Sequence, residues 1–465
     1  MNFRSILSYL GLMLVILAML MLLPVGVSFI FSEHVYLPFL VGSTISFVTG
    51  VILYRKFERE PLDLGSAMVL AGVTFIVISL FGSIAYLDHL TPVDSVFESV
   101  SGFTTTGLTV VDPETLPYSL LFWRSLTQWI GGIGILVIFL LLMSSPGMSS
   151  YYMYRAEGRT HRIEAGVYST VKRMFMIYCA YTVLGVLLLS LAGMPLFDSV
   201  LHAFTSLSTG GFSPKAESIG SYQNPLIEVV VIILMVLGAT SFFVHNSLFR
   251  RRFSEYVRNA ETKIFWALIL IFSLLLSLSL LPTGDTLRSG IFHTFSALTT
   301  TGYTVSSHFP PLSKFLIIML MIFGGYAGST AGGLKLVRVG ILGQAVRWIT
   351  KKISYPVSAV LPFKFQNKVV RDEELSIIFI FSFIYLLVLV VSSLILGFMG
   401  YGLIDSFFVS ASAEGTVGLT TIDIAGMNPI GKLVLMVDML LGRLEILPFF
   451  VLFYSMFSSF RRRFT

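Results

Sequence analysis

Thr105-Thr106-Gly107-Leu108-Thr109 is the first of four short strips in this chain of 465 residues that share one pattern. Each strip has a threonine, any residue, a glycine, a large apolar residue, and then a serine or threonine. The other three strips are Thr209-Gly210-Gly211-Phe212-Ser213, Thr300-Thr301-Gly302-Tyr303-Thr304 and Thr416-Val417-Gly418-Leu419-Thr420. One polypeptide therefore carries four unequal copies of a single element, which predicts that the copies surround a common axis.

The four strips are similar to the Thr-Val-Gly-Tyr-Gly strips of potassium-channel filters, whose carbonyl oxygens replace the water around the ion. A glycine at the third position permits the backbone conformation that such a strip needs. The strips therefore predict a cation pathway in which potassium, the substrate, is held mainly by backbone carbonyls. The predicted ligands are Thr105, Thr106, Gly107, Thr209, Gly210, Gly211, Thr300, Thr301, Gly302, Thr416, Val417 and Gly418. The first strip lacks a second glycine and Gly210 replaces the channel valine, so the degree of sodium exclusion stays open.

Composition and hydropathy indicate a membrane protein. Hydrophobic residues make up 55% of the chain and charged residues 12%, whereas soluble domains carry about 25% charged residues. Mean hydropathy is +0.86. Ten apolar segments are long enough to span a bilayer; they lie at 6–31, 36–54, 66–87, 117–143, 173–192, 225–248, 263–281, 312–345 (interrupted), 373–398 and 430–458. We therefore expect an all-α membrane protein with about ten transmembrane helices.

The last eight apolar segments form four pairs, and one strip lies between the members of each pair. This arrangement predicts four pseudo-symmetric helix–pore loop–helix repeats around one central pore. The expected divisions are two extra N-terminal transmembrane helices in 1–60 and pore repeats in 61–155, 156–252, 253–352 and 353–465. Because the repeats all run in the same direction, they disfavour a broken-helix transporter of organic solutes, which would show two inverted halves.

Most of the 31 basic residues lie in segments on the same side of the membrane as the N-terminus. The positive-inside rule then places both termini in the cytoplasm and opens all four strips to the outside. The net charge of +6 is explained by these short juxtamembrane segments. We therefore expect contact with membrane lipid and no nucleic-acid partner.

Positions upstream of the strips also recur. Residues that can cap a helix stand at one fixed distance before the strip glycines, namely Asp94, Asp198, Ser289 and Asp405. They predict a pore helix of two to three turns before each strip, whose negative C-terminal end points towards the ion. Glu98, His202 and His293 lie within these helices, where they either support the filter or simply pack.

Several longer motifs resemble those of the TrkH/KtrB/HKT superfamily of potassium-uptake proteins, and of its TrkH family most closely. They are Ser101-Gly-Phe-Thr-Thr-Thr-Gly107, Trp123-Arg124 with Gln128-Trp129-Ile-Gly-Gly-Ile-Gly134, Ser208-Thr-Gly-Gly-Phe212, Gly324 to Lys335, and Gly442-Arg-Leu-Glu445. The resemblance covers nearly the whole chain. It implies potassium uptake across a plasma membrane, the bacterial inner membrane or the archaeal cell membrane, and no enzymatic activity.

The same resemblance implies two kinds of partner. One is a second copy of the chain, in a homodimer whose protomers each have their own pore. The other is a cytoplasmic, TrkA-like ring of nucleotide-binding gating subunits. Because no phosphate-cradling glycine-rich motif lies in a soluble segment of this chain, we expect nucleotide to bind to the ring and not to this chain.

A glycine-rich stretch interrupts the second helix of the third repeat at 323–335. Five glycines within ten residues each cost a helix about 1 kcal/mol, so a continuous helix is not expected. We predict an intramembrane loop that occludes the pore, as the resemblance also implies. The predicted gate residues in it are Gly324, Gly325, Gly328, Ser329, Thr330, Gly332 and Gly333. The alternative is a close helix-packing face, of which GxxxG spacing is typical.

Arg443 is a charged residue in the middle of the last apolar segment, and a charge at such a depth is usually functional. It follows Gly418 at nearly the same distance as Gly328 follows Gly302. We therefore expect Arg443 to face the glycine-rich loop below the strips, as part of the gate and as an electrostatic barrier. The alternative is that Arg443 pairs with Asp438 or Glu445 and joins helices.

Two other functions remain as alternatives to a gated, channel-like pore. A potassium symporter coupled to protons or sodium would use the same pore, and no residue in the sequence identifies a coupling site. A serine hydrolase that used Ser329 would leave the four strips unexplained, and no suitable histidine-bearing helix accompanies Ser329. The channel-like pore is therefore the preferred interpretation.

Overall fold

The computed structural model describes residues 3–143, 148–157, 166–283, 286–306, 308–356, 361–366, 368–446 and 448–454. In the first half of the chain its helices are α1 (Phe3–Leu20), α2 (Leu22–Ile30), α3 (Leu37–Lys56), α4 (Leu64–Gly82), α5 (Pro92–Phe103), α6 (Tyr118–Ile133), α7 (Ile135–Met143), α8 (Met148–Ala156), α9 (Val167–Leu191), α10 (Leu196–Leu207) and α11 (Pro225–Ala239). In the second half they are α12 (Phe242–Phe249), α13 (Phe253–Arg258), α14 (Ala260–Leu280), α15 (Leu287–Leu298), α16 (Pro311–Phe323), α17 (Leu336–Ile353), α18 (Asp372–Phe398), α19 (Leu403–Glu414) and α20 (Pro429–Arg443).

Short elements connect these helices. Single 3-10 turns lie at Ser83–Tyr86, Pro113–Thr115, Ser218–Tyr222 and Leu281–Thr283. A small antiparallel hairpin pairs β1 (Lys364–Phe365) with β2 (Lys368–Val369), and 448–454 is helical. The predicted all-α fold class is confirmed.

The N-terminal helices form a separate pair outside the repeats. α1 and α2 together make one apolar span, Phe3–Ile30, and α3 packs along α1. The two helices approach closely at Gly11 and Gly50, where a Cβ atom on either glycine would lie 2.6 Å from the carbonyl oxygen of the other. Small residues at such a crossing let two helix backbones meet inside a membrane.

Each repeat has a long first helix, a short pore helix, a strip and a second helix. The first helices are α4, α9, α14 and α18, and all four are apolar and long enough to cross a membrane. The pore helices are α5, α10, α15 and α19, and each is 12 residues long. All four pore helices end at the same distance before the strip glycine, so the four strips leave their helices in register.

The capping prediction was wrong by three residues. α5 and α15 begin after Thr91 and Thr286, whose hydroxyls accept the backbone N–H of Asp94 and Ser289. α10 and α19 begin after Pro195 and Gly402 without a side-chain cap. The four residues predicted as caps therefore lie inside the first turn, where a carboxylate still faces the positive end of the helix dipole.

Two of the misassigned carboxylates instead help to join the repeats. Lys432 of the fourth repeat pairs with Asp94 of the first at 2.6 Å, and Lys314 of the third pairs with Asp405 of the fourth at 2.6 Å. Arg288 and Glu228 make a similar pair, at 3.2 Å, between the third and second repeats. These ion pairs join neighbouring repeats at the starts of their pore helices.

The second helices differ from the prediction, because the sequence predicts an interruption only in 312–345. α6 stops at Gly134, where φ is +93°, and continues as α7. α11 and α12 are bent by 105° at their junction. α16 ends before the glycine-rich loop and resumes as α17, and α20 ends at Arg443. The end of the predicted segment 430–458 lies outside the described residues.

These interruptions change the count of simple spans. In the described part of the chain six helices are long and apolar enough to cross a membrane, or seven if α11 and α12 count as one bent span. The remaining second helices are also interrupted, each followed by a further helix. Broken backbone at membrane depth is tolerated where it faces protein or a water-filled cavity, so all four breaks indicate a common internal space.

The pore helices and second helices pack in a closed circle. α5 contacts α6, α6 contacts α10, and the sequence of neighbours continues through α11, α15, α16, α19 and α20 back to α5. The four strips, which follow the pore helices, are thereby directed towards the centre of one ring.

Candidate cation pathway

Each pore helix ends in the same strained turn. The first threonine of each strip has a left-handed backbone; φ is 57° at Thr105, 53° at Thr209, 55° at Thr300 and 51° at Thr416. A β-branched residue in this region is an outlier. Such strain persists only where the surroundings enforce it, and it collects at functional sites.

Two backbone hydrogen bonds enforce this turn. In the first strip the N–H of Thr105 donates to the carbonyl of Gly102 (3.0 Å), and the N–H of Thr106 donates to that of Ser101 (2.9 Å). This is the Schellman pattern of a helix C-terminus, with threonine in place of the usual glycine. The other strips repeat both bonds, through Thr209 to Ser206 and Gly210 to Thr205, Thr300 to Ala297 and Thr301 to Ser296, and Thr416 to Ala413 and Val417 to Ser412.

The strip glycines also have positive φ. The angle is 88° at Gly107, 76° at Gly211, 84° at Gly302 and 96° at Gly418. Left-handed and ordinary residues therefore alternate along each strip. An ordinary extended strand points successive carbonyls to opposite sides, and inverting φ at every second residue can turn them to the same side, as a filter requires.

The strips close into one ring. Each strip glycine abuts the carbonyl oxygen of the residue that precedes the glycine in the next strip, so that a Cβ atom at any of the four would overlap that oxygen. In order round the ring, the pairs are Gly107 with Gly210, Gly211 with Thr301, Gly302 with Val417 and Gly418 with Thr106. Since the last pair returns to the first strip, the four glycines lie in one closed ring.

The structure thus brings all twelve predicted ligand residues together. Their threonine and valine side chains are buried. The sequence identified this set because the pattern recurs four times. It did not identify the side chains that hold the strips in place.

Gln128 of α6 clamps the second strip. Its amide nitrogen donates to the carbonyl of Gly210 (2.7 Å), and its amide oxygen accepts the N–H of Phe212 (3.1 Å). One side chain from the first repeat therefore fixes two backbone groups of the next strip. One lone pair of the Gly210 carbonyl is used by this bond, which distinguishes the second strip from the other three.

A buried ion pair supports the first strip. Arg124 and Glu98 are 2% and 0% exposed, and their Nε and Oε1 atoms are 2.7 Å apart. Glu98 also accepts the hydroxyl of Thr109 (3.0 Å) and the N–H of Val110 (3.2 Å). The Arg124 guanidinium lies over the Phe212 ring, 4.1 Å from its centroid. The pair therefore connects the outer ends of strips one and two.

Arg124 was missed as a site residue although a charge in an apolar helix is a recognised signal. His202 and His293 occupy the place of Glu98 in the next two repeats. Their Nδ1–H groups donate to the backbone carbonyls of Asp198 and Ser289, at 2.9 Å and 2.8 Å. His293 Nε2 also lies 3.4 Å from the N–H of Val305, just beyond the third strip. Glu98 and His293 therefore contact backbone beyond their own strips.

The glycine-rich stretch is a loop between α16 and α17, as the sequence predicts. Its backbone is positive in φ at Gly324, Gly328 and Gly333. Tyr326 and Thr330 donate their N–H groups to the free carbonyls of Ala239 and Gly238 at the end of α11, at 3.1 Å and 3.2 Å. The break in the second repeat and the loop of the third therefore satisfy each other's backbone groups.

The loop lies directly against the strips. The Thr330 hydroxyl is 3.3 Å from that of Thr209, and the N–H of Gly332 donates to the hydroxyl of Thr300 at 2.8 Å. A Cβ atom at Gly332 would overlap the Thr416 hydroxyl. Three of the four left-handed threonines thus meet the loop.

Arg443 reaches the fourth. Its guanidinium donates to the Thr105 hydroxyl at 3.1 Å, to the Thr330 carbonyl at 3.0 Å and to the Gly132 carbonyl at 3.0 Å, and it also bonds to the carbonyl of Gly131. The expected juxtaposition of Arg443 and the loop is therefore present. Of the two carboxylates considered as its partners, Asp438 accepts from Ser392, and Glu445 pairs with Arg338 while it also interacts electrostatically with Arg443.

A cavity lies below this layer, and charged side chains line it. Glu157, Lys335 and Glu445 line it together with Arg443 and residues of the loop. The Glu157 carboxylate packs against Gly134, in the space that a Cβ atom there would fill. The break in the first repeat therefore admits a carboxylate to the region beneath the strips.

Comparison with known proteins agrees with this geometry. The family model described as TrkH, cation transport protein, matches residues 39–461. An uncharacterised cation transporter of Methanocaldococcus jannaschii is 35% identical over 468 residues, which cover 98% of this chain and 96% of that protein. The Trk system potassium uptake protein TrkH of Salmonella typhimurium is 31% identical over 484 residues, which cover 98% of this chain and 99% of the relative.

A solved structure shows the same fold. The crystal structure of the potassium transporter TrkH from Vibrio parahaemolyticus superimposes with a TM-score of 0.87 at 28% sequence identity. The match covers 97% of this chain and 98% of the other. The similarity therefore includes both the N-terminal helices and all four repeats.

Proposed function

Because this chain belongs to the TrkH family of cation transport proteins and takes up potassium, we propose that the ion crosses the membrane through the ring of four strips. The backbone carbonyls of the strips replace the water around a potassium ion. The observation that carries this proposal is the closed order of contacts from Gly107 through Gly210, Thr301 and Val417 back to Thr106.

The hydrogen bonds at the ends of the pore helices support this role. The first two N–H groups of each strip donate to the pore helix. The carbonyl groups of the strip remain as the backbone groups that can coordinate an ion. Four helix C-termini also converge on the ring, and each brings a partial negative charge of about half a unit. The site therefore favours a cation without placing a full negative charge on the axis.

The glycine-rich loop and Arg443 form the gate in this proposal. Thr330, Gly332 and Arg443 contact the undersides of the strips, so an ion that leaves the filter meets them next. At about 10 Å and an effective dielectric constant of about 20, the arginine would raise the energy of a potassium ion by ~1.7 kcal/mol. The loop must move aside for conduction, and Arg443 lowers ion occupancy below the filter.

The partners follow from the family. The relatives carry the name of the Trk system, and this multi-pass membrane protein works with other components of such a system. We place both termini in the cytoplasm, a second copy of the chain beside the first, and a TrkA-like nucleotide-binding ring below. In this arrangement nucleotide binds to the ring, and the ring acts on α17. α17 leads directly from the loop into the cytoplasm.

The decisive experiment measures potassium flux into vesicles that contain the purified protein, with and without an opposing proton or sodium gradient. A channel-like pore predicts flux that follows the potassium gradient alone. Uphill uptake driven by the second ion would establish the alternative, a symporter. Loss of flux in the Gly302→Ala variant would connect the measured transport with the strips.

A further inference from the structure

A group of buried acidic residues lies behind the fourth strip. Glu414 is the last residue of the fourth pore helix and is fully buried, and neither of its carboxylate oxygens has a hydrogen-bond partner among the residues that the structure describes. The other three pore helices have apolar residues at this place, Phe103, Leu207 and Leu298. The charge is therefore peculiar to the fourth repeat.

Asp438 approaches Glu414 from α20. It is 1% exposed; one of its oxygens accepts the Ser392 hydroxyl of α18 at 2.7 Å, and the other has no partner within the described ranges. Gly442 lies one turn further along α20, on the same face, and packs against the backbone of Glu414. Asp438 therefore faces the end of α19, and the two carboxylates interact electrostatically.

Tyr385 of α18 completes the group. Its phenolic oxygen is buried, has no hydrogen-bond partner in the described part of the chain, and interacts electrostatically with both Glu414 and Asp438. Buried oxygens from three helices therefore lie near one another, and the Ser392 hydroxyl bonds directly to Asp438. No lysine, arginine or histidine pairs with either carboxylate in the part of the chain that the structure describes.

Buried carboxylates without a partner are costly, because a charge in a medium of low dielectric constant loses its hydration. Oxygen ligands of this kind suit hard cations. Magnesium retains several waters and calcium takes six to eight ligands, which a sealed site of four side chains does not supply. A monovalent ion needs fewer ligands and is easier to dehydrate.

We propose that Glu414, Asp438, Ser392 and Tyr385 form a sodium-binding site beside the fourth strip and outside the conduction axis. The ion neutralises part of the acidic charge, and the hydroxyls of Ser392 and Tyr385 stabilise the rest. Because Glu414 is joined to Thr416 through one residue, occupancy of the site stabilises the left-handed turn of the fourth strip. Sodium is then a structural and regulatory ion for this repeat.

Thermal unfolding of the purified protein tests the site. Sodium chloride replaces choline chloride at constant ionic strength while potassium is held at one saturating concentration. The wild type should show a saturable rise in Tm with sodium that lithium and further potassium do not match. Asp438→Asn and Glu414→Gln should weaken the apparent sodium affinity at least tenfold, and both should be more stable than the wild type when sodium is absent.

Asp372→Asn, at an exposed carboxylate in the first turn of α18, is the matched control and should keep the sodium response. An equal rise in Tm with sodium in Asp438→Asn would overturn the proposal, and so would an equal rise in the wild type when lithium replaces choline. If the variants do not fold, the wild type is measured alone, at pH values on both sides of neutrality. No sodium-selective rise in its Tm would show that protons, and not sodium, neutralise Glu414 and Asp438.

Discussion

Arg443 and Thr330 are joined by a hydrogen bond of 3.0 Å, from a guanidinium nitrogen at the end of α20 to a carbonyl oxygen of the glycine-rich loop. The same nitrogen lies 3.1 Å from the Thr105 hydroxyl. One side chain therefore connects the fourth repeat, the loop of the third and the strip of the first. Arg443 and the loop therefore form a single layer below the strips. Substitutions at Arg443 can distinguish the effect of its charge from the effect of its hydrogen bonds.

Arg443→Ala removes both the charge and the bonds, and we expect faster potassium flux. The lost barrier of ~1.7 kcal/mol corresponds to an increase of up to about twentyfold. Arg443→Lys keeps the charge but replaces the planar fork of five N–H donors with three donors on one nitrogen, so it should give a smaller increase. Flux into vesicles at equal protein density measures both. Unchanged or slower flux in the alanine variant, with normal expression, would contradict the barrier.

Gly302→Ala should abolish potassium-selective flux. Its φ is +84°, and a Cβ atom would overlap the Val417 carbonyl oxygen of the next strip. The ring must therefore open or the fourth strip must rotate. Gly397→Ala is the control, because Gly397 lies in α18 and a Cβ atom added there would meet nothing within 4 Å, so it should leave flux unchanged. Normal potassium uptake by Gly302→Ala would remove the main support for carbonyl coordination.

The buried pair of Glu98 and Arg124 should be strongly coupled. Removing one partner of a buried ion pair leaves the other charge unpaired and costs about 3–5 kcal/mol. Glu98→Gln and Arg124→Met should each lower the Tm markedly, and the double variant should be less destabilised than the sum of the two.

The exposed pair of Arg371 and Glu374, 2.7 Å apart, is the comparison for this cycle. Its side chains are 72% and 48% exposed, so Glu374→Gln should cost no more than about 1 kcal/mol. Additive effects at Glu98 and Arg124 would show that the two residues act separately. A Tm change no larger than that of Glu374→Gln would show that the pair does not stabilise the strips.

The repeats could be predicted because the strips recur and because apolar length is decided locally. The breaks in the second helices could not, apart from the third, since only that segment contains several glycines. The second helix of the second repeat breaks at Thr240 and Ser241. Ser241 caps α12, but the last carbonyls of α11 are satisfied by Tyr326 and Thr330 of another repeat. This break therefore depends on tertiary contacts that a capping residue alone does not predict.

The site, like the fold, was predicted only in part. The strip residues are identified by type and spacing, whereas Gln128 acts through a contact with a strip 82 positions away. The helix starts were misplaced because aspartate and threonine are both good caps, and in α5 Pro92 favours the earlier start at Thr91. The charges that line the cavity, among them Glu157, lie in loops whose path a sequence does not reveal.

Thr330 is the residue through which the loop can be loosened without altering charge. Its hydroxyl lies within hydrogen-bond distance of the carbonyls of Leu207 (2.9 Å) and Gly238 (2.8 Å) and meets the Thr209 hydroxyl. Thr330→Val keeps the shape but removes the hydroxyl. The Gly238 carbonyl still accepts the N–H of residue 330 (3.2 Å), whereas the Leu207 carbonyl loses the hydroxyl as a donor, at a cost of about 1–3 kcal/mol. The closed loop is destabilised, so basal flux should rise severalfold.

Thr44→Val is the matched control, since the Thr44 hydroxyl bonds only within α3, to the carbonyl of Leu40 at an exposed position. It should leave the flux at the wild-type level. The ratio of potassium to sodium flux separates two causes of a rise in Thr330→Val. A preserved ratio indicates that the gate opens more often, whereas a reduced ratio would mean that the strips themselves have been disturbed and that the loop is part of the filter's support, not a separate gate.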